Sequence, residues 1–288
     1  MDRMNILITL DRNYLPALRV LLCSMLINNP GEAFAIHIVS DALTPEDLAP
    51  LMRLCARFDA TVSLLPVEDG WFRQAPTLRY YSRAMYYRLL AAPLLPDAMD
   101  RILYLDPDML VIGPLRPLYD TALGGALYGA CIHKGLVNLT DPVNRIRLST
   151  YEAEGYFNSG MLLMNLPLIR RDVRAEDVFD YARKNRQLLV LPDQDILNGL
   201  YGSRILPLDE CLWNYDARRY NEYLLASQGE RDVGWVMRST SILHFCGRRK
   251  PWNASYRGRF GALYKHYMQL TARYEQACTP DVSSSSSV

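Results

Sequence analysis

The run Arg101-Ile102-Leu103-Tyr104-Leu105-Asp106-Pro107-Asp108-Met109-Leu110-Val111-Ile112 decides the fold. A mostly apolar strand leads into two carboxylates set two residues apart, and a second apolar run follows at once. A strand without polar alternation is buried on both faces, which is the mark of a mostly parallel sheet covered by helices. In such sheets ligands bind just beyond the carboxyl ends of strands. Asp106 and Asp108 stand at that place. Pro107 stiffens the turn between them and donates no ladder bond. Two acids side by side at a buried strand end repel, and a divalent cation removes that cost. Alone, Asp-x-Asp also reads as a surface loop whose acids solvate a strand end. The apolar runs on either side favour the cation.

Working outward, residues 4–10 (MNILITL) form a first strand, followed by Asp11-Arg12-Asn13-Tyr14 and an apolar helix over 15–27. Residues 35–40 and 61–66 read as further strands. Between them Thr44 suits an N-cap, Pro45 the first helical position, and two acids follow. A helix over 79–92 is stopped by Pro93 and Pro96. Strands are expected at 127–132, 160–165 and 241–245. Alternating strands and helices predict an α/β fold, a Rossmann-like, mostly parallel central sheet with helices on both faces.

The chain has 288 residues, half of them hydrophobic, and a formal net charge of +1. No global field points to nucleic acid. Cys23, Cys55, Cys131, Cys211, Cys246 and Cys278 are scattered singly, without a Cys-x-x-Cys pair, and read as reduced thiols of a cytoplasmic protein. The most apolar stretch, 15–27, contains Arg19 and is too short to cross a bilayer. The serines at 283–287 predict a disordered tail.

Three other segments carry chemistry. In His244-Phe245-Cys246-Gly247-Arg248-Arg249-Lys250-Pro251-Trp252 an apolar strand delivers a histidine, then a glycine and a basic cluster. His244 suits a third metal ligand, Gly247 allows close backbone approach, and Lys250 is a point charge for a diphosphate. A lone histidine is more often structural; the neighbouring glycine and lysine favour the site. Asp193-Gln194-Asp195 opens a helix, and Asp193 as N-cap would explain one acid but not Gln194. Tyr156-Phe157-Asn158-Ser159-Gly160 is a polar loop in which Asn158 serves either sugar hydroxyls or a turn.

Taken in order, these segments resemble glycosyltransferase family 8. Asp11-Arg12-Asn13-Tyr14, Tyr87-Arg88-Leu89, Tyr104 to Asp108, Gly129-Ala130-Cys131, Phe157-Asn158-Ser159-Gly160, Asp193 to Asn198 and His244 to Trp252 carry the resemblance, from Ile6 to about Trp252. It implies a GT-A fold and a retaining transfer of galactose or glucose from UDP-galactose or UDP-glucose to a carbohydrate or lipid-linked acceptor. It implies Mn²⁺, with Mg²⁺ as the alternative, on Asp106, Asp108 and His244, with Pro107 between the acids. Thr9, Asp11, Asn13 and Tyr14 would line the uridine pocket. Arg88, Asn158, Asp193 and Gln194 would surround the donor sugar, Gln194 and Asp193 nearest the reaction. Gly247 and Lys250 would hold the diphosphate. One departure concerns His133, where the lipopolysaccharide galactosyltransferases carry an aspartate, so the resemblance leaves the identity of the sugar or acceptor open but not the metal site.

Two other classes compete. An aspartyl-phosphate-type phosphatase would use Asp106 as nucleophile, but its motif normally sits on the first strand and continues with Thr or Val where this chain has Leu110. A non-catalytic sugar-nucleotide binding protein would be expected to lose a metal ligand or Lys250, and neither is lost. The expected layout is a catalytic domain over 1–256, a C-terminal helix over 257–276 and a tail over 277–288. On that helix Leu263, Tyr264, Tyr267, Leu270 and Tyr274 share one face, with Arg257, Arg259, Lys265 and Arg273 nearby. The stripe reads either as a core-facing helix, which is the favoured reading, or as peripheral contact with an anionic membrane at its inner face.

Overall fold

The computed structural model describes residues 2–67, 76, 84–132 and 155–277. His133, the first turn of the expected 79–92 helix, Cys278 and the serine tail lie outside them. The described residues form ten strands: β1 (Met4–Thr9), β2 (Phe34–Val39), β3 (Ala60–Leu65), β4 (Arg101–Leu105), β5 (Met109–Val111), β6 (Tyr128–Cys131), β7 (Met161–Asn165), β8 (Ile205–Leu208), β9 (Tyr215–Asp216) and β10 (Ile242–His244).

Seven of them make the central sheet, in the order β3-β2-β1-β4-β7-β6-β8. β1, β2, β3 and β4 run parallel, β7 is antiparallel to both β4 and β6, and β8 is parallel to β6. Six strands therefore point one way and β7 alone runs against them. Side chains alternate between two buried faces. Leu103 and Leu105 join Ile6 and Ile8 in one core with α1 (Leu15–Ile27) and α2 (Pro45–Cys55). Ile102 and Tyr104 join Leu7 in another, with α3 (Ala84–Leu90) and the Pro192–Tyr201 helix. The apolar reading of β4 follows from this double burial. α2 starts as its sequence predicts, with a capping box between Thr44 and Asp47 and Pro45 in the first turn.

The site lies where the chain leaves this sheet for a smaller one, ordered β5-β10-β9. Asp106-Pro107-Asp108 is the turn between β4 and β5, and it closes with Met109 N–H donating to Asp106 O at 3.2 Å. Asp106 N–H donates to Gly160 O at 2.8 Å, which ties the turn to the start of β7. β10 is antiparallel to β5 with His244 opposite Met109, and Phe245 N–H donates to Asp108 O at 3.1 Å. Residues more than a hundred positions apart thus meet by strand register.

Two expectations need correction. The last helix spans Gly261–Gln276, beginning four residues later than read, because Gly258 and the turn before it intervene. The N-cap position of the Pro192–Tyr201 helix is Leu191, not Asp193. Asp195 does the tying there: its Oδ2 accepts from the backbone N–H groups of Val190 at 2.6 Å and Leu191 at 3.0 Å. Asp193 is left for other work.

Candidate active site

One oxygen each of Asp106 and Asp108 and one nitrogen of His244 lie within 4.8 Å of one another. His244 Nε2 is 3.3 Å from Asp108 Oδ1 and 3.8 Å from Asp106 Oδ2. Two ligands at about 2.1 Å from one ion and at right angles stand roughly 3 Å apart, so the spacing suits a shared cation. Asp108 and His244 are buried and Asp106 nearly so. Gly160 makes the room: a Cβ there would lie 2.5 Å from His244 Cε1 and 2.8 Å from Asp106 Oδ2.

The imidazole's tautomer is fixed from the backbone. Gly160 N–H, which can only donate, bonds Asn158 Oδ1 at 2.9 Å. Asn214 Nδ2 donates to that same oxygen at 2.9 Å, so Asn214 Oδ1 is the atom facing His244 Nδ1, 2.8 Å away. Nδ1 must therefore carry the proton, and Nε2 faces the carboxylates. This is the arrangement a metal-binding histidine needs. On its other side Asn158 Nδ2 donates to Gln194 Oε1 at 3.0 Å, and Ser159 N–H reaches the same oxygen at 3.4 Å.

Asp106 and Asp108 are held differently. Burial and the Asp108 charge push the Asp106 carboxyl up, against the pull of Arg88. Burial also opposes ionisation of Asp108, but His244 and Lys250 outweigh it and hold its carboxyl below the usual range. Lys250 Nζ bonds Asp108 Oδ2 and donates to Phe245 O at 3.1 Å. Arg88 bridges two acids, with Nη2 3.1 Å from Asp106 Oδ1 and Nη1 2.9 Å from Asp193 Oδ2. Tyr104 O–H donates to Asp106 Oδ1 at 2.5 Å and lies 3.2 Å from Thr9 Oγ1. For His244, burial works against an imidazolium, yet Cys246 and Asp108 push it well upward.

Thr9, Asp11, Tyr14, Arg88, Pro107 and Asp193 line one cleft of about 240 Å³ with the two acids. Asn158 and Gln194 stand behind it, joined through the amide network. Asn13 is exposed, and its N–H donates to Asp11 Oδ1 at 2.8 Å, so Asp11 caps the turn. Gly247 does not line this cleft. It has φ +83°, which only glycine adopts without strain, and it faces a neighbouring groove. Asn214 and Tyr104 escaped the sequence reading. Asn214 sits in a short turn with no periodicity to flag it, and Tyr104 reads as a core residue of β4.

The Tyr stripe of the last helix faces inward. Tyr264 is fully buried with its ring 5.1 Å from that of Phe245, and the Tyr267 hydroxyl oxygen accepts from Asn28 Nδ2 at 2.7 Å. No described helix is long and apolar enough to cross a membrane.

The chain is similar over 93% of its length to the crystallised galactosyltransferase LgtC in complex with donor and acceptor sugar analogs, with a TM-score of 0.77, 24% identity and 96% of that chain covered. That likeness shows the fold, GT-A. It is 26% identical to general stress protein A of Bacillus subtilis (strain 168), across 93% of this chain and 94% of that protein. It is 24% identical to the lipopolysaccharide 1,3-galactosyltransferase of Salmonella typhimurium (strain LT2), across 88% of this chain and 74% of that one. The lipopolysaccharide 1,2-glucosyltransferase of Escherichia coli is 28% identical across 85% and 71%. The model of glycosyl transferase family 8 matches residues 5–255, and the chain, a glycosyltransferase, belongs to that family.

Proposed function

We propose that the protein transfers galactose or glucose from a UDP-sugar to a glycan or glycolipid acceptor, with retention and with Mn²⁺. The observation that carries this is the convergence of Asp106, Asp108 and Nε2 of His244 at the edge of the Thr9–Tyr14 cleft. An imidazole beside two carboxylates leans the site toward Mn²⁺ over Mg²⁺. Bound there, the ion supplies a Lewis acid for the charge that grows on a leaving diphosphate. Lys250, which neutralises Asp108, is a second positive charge for the same phosphates.

Arg88 and Asp193 face the donor sugar in this reading. Arg88 Nε is buried with no partner among the described residues, so a donor hydroxyl would satisfy it. Gln194 Oε1 already accepts two hydrogen bonds. An amide oxygen held this way makes a poor nucleophile, which supports front-face attack with Gln194 and Asp193 as positioning groups. The phosphatase alternative fares worse, because Asp106 Oδ1 is held by both Tyr104 and Arg88. The five described cysteines are all free, in keeping with a cytoplasmic location.

The test is release of UDP from UDP-galactose and UDP-glucose with and without Mn²⁺, followed by proton NMR of the product. Mn²⁺-dependent UDP release and an α-anomeric coupling are expected, and Asp108→Ala should lose both. Phosphate release from phosphomonoesters without UDP release would overturn the reading. A β-linked product would overturn retention.

A further inference from the structure

On the far side of the turn Cys246–Lys250 from the metal triad lies a groove of about 970 Å³. Its lining includes Arg218, Arg248, Arg249, Arg257 and Arg259, all exposed, and no acid. Arg218 is neutralised by buried Asp216, with Nη2 2.6 Å from Oδ2. The other four pair with no carboxylate among the described residues. Arg257 donates to the carbonyls of Ala254 at 2.9 Å and Tyr256 at 3.2 Å, and Arg259 stacks 4.1 Å over the Tyr220 ring. Four unneutralised guanidiniums around one concavity repel one another, and the chain carries them although its net charge is only +1. An anion relieves that repulsion. Arginine's planar fork matches phosphate oxygens in pairs.

The groove is too large for a lone phosphate and falls in the size range of small-molecule sites. It also offers half-buried Tyr256 and exposed Asn221, a ring face and an amide of the kind that hold sugars. Lys250 leaves the same turn toward Asp108, while Cys246, Gly247, Arg248 and Arg249 face the groove. One turn therefore separates the donor cleft from the groove.

We infer that the acceptor is a phosphate-bearing saccharide, its phosphate held by Arg248, Arg249, Arg257 and Arg259. This rests on the donor reading above. The phosphate comes either as a sugar phosphate or as the diphosphate of a lipid-linked sugar.

The experiment begins with the unsubstituted protein titrated with UDP and Mn²⁺. No Mn²⁺-dependent binding at this point would sink the donor reading and leave the groove to be judged separately. With UDP saturating, glucose 1-phosphate, farnesyl diphosphate and glucose are then titrated in turn and followed by NMR. Either or both phosphate probes should bind and glucose should not; which one binds tells a sugar phosphate from a lipid diphosphate. Arg248→Gln/Arg249→Gln and Arg257→Gln/Arg259→Gln should each weaken the phosphate probe about tenfold or more, with UDP affinity unchanged. These side chains are exposed, so both variants should fold. Equal binding of glucose, or loss of UDP affinity in the same variants, would overturn the inference; the latter would make the groove part of the donor's diphosphate site. Binding of the variants and the parent alike, or binding of phosphatidylglycerol vesicles alone, would overturn it as well.

Discussion

In the proposed metal site His244 would ligate the cation through Nε2, which needs a proton on Nδ1, and Asn214 is the group that faces Nδ1. Asn214→Leu keeps the volume but removes the acceptor, so the ring is free to turn or to change tautomer. A loss of about 10- to 100-fold in Mn²⁺ affinity is expected, the usual effect of removing a ligand's own partner. Calorimetry reads it, and unchanged affinity would leave Asn214 a packing residue. Gly160 acts on the same atoms by making space. A methyl group there would push on His244 and Asp106, so Gly160→Ala should weaken Mn²⁺ binding at least tenfold while leaving the unfolding transition cooperative. Full Mn²⁺ affinity in that variant would show that the ring and carboxylate can step aside. The proton balance adds a third expectation. Burial raises Asp106, and Cys246 and Asp108 raise His244, so an ion competes with protons for both groups. Apparent Mn²⁺ affinity should then fall as pH drops, with protons released on binding. Calorimetry in two buffers of unequal ionisation heat measures this directly, and a release of no protons would contradict it.

At the scale of elements, the site is a crossing of strands and one helix start. Asp195 anchors that start, accepting from Val190 N–H, Leu191 N–H and, at 2.5 Å, the Tyr156 hydroxyl, while fully buried. Asp195→Ala removes the acceptor shared by three part-buried donors and should cost about 1–3 kcal/mol, read by urea unfolding. A cost under about 1 kcal/mol would mean that water replaces the carboxylate. The variant should also disturb Asp193 and Gln194, which ride on the same turn. How far this was legible in the sequence varies by element. β4 and its Asp-Pro-Asp turn were readable because burial on both faces writes itself as an unbroken apolar run. α2 was readable because Thr44 and Pro45 are local signals. The N-cap of the Pro192–Tyr201 helix was misplaced because two acids flank Gln194, and only tertiary contacts tell which one ties the loop. β7's reversed direction and the pairing of β10 with β5 were not readable, since register between distant strands leaves no local mark. Asn214 was invisible for the same reason: its meaning comes from Asn158 and His244, one 56 residues before it and one 30 after.

At the scale of the whole molecule, the last helix decides what the C-terminal segment is for. Its tyrosine stripe reads as a core face ahead of a membrane face, and packing bears out the core reading for Tyr264 and Tyr267. Tyr264 and Tyr267 lie in the third core with Leu110, Leu243 and Phe245, the residues of β5 and β10 and the start of the turn that carries Lys250. Tyr274 meets Phe58 at 5.6 Å, and Glu275 meets Arg19 of α1 at 3.6 Å. The cations Arg257, Arg259, Lys265 and Arg273 remain exposed. The helix therefore supports the strands that bring His244 to Asp108. Losing one large buried aromatic costs about 3–5 kcal/mol, and a domain of this kind has roughly 5–15 kcal/mol in hand. Ending the chain before Gly261 removes Tyr264 and Tyr267 together, so that truncation should abolish cooperative unfolding and Mn²⁺-dependent UDP binding. Ending it after Ala277 should change neither. Circular dichroism melts and UDP calorimetry on the two truncations measure this. If the shorter chain still melts cooperatively and binds UDP with Mn²⁺, the helix is an appendage of the catalytic domain, and its exposed cations become the part that matters.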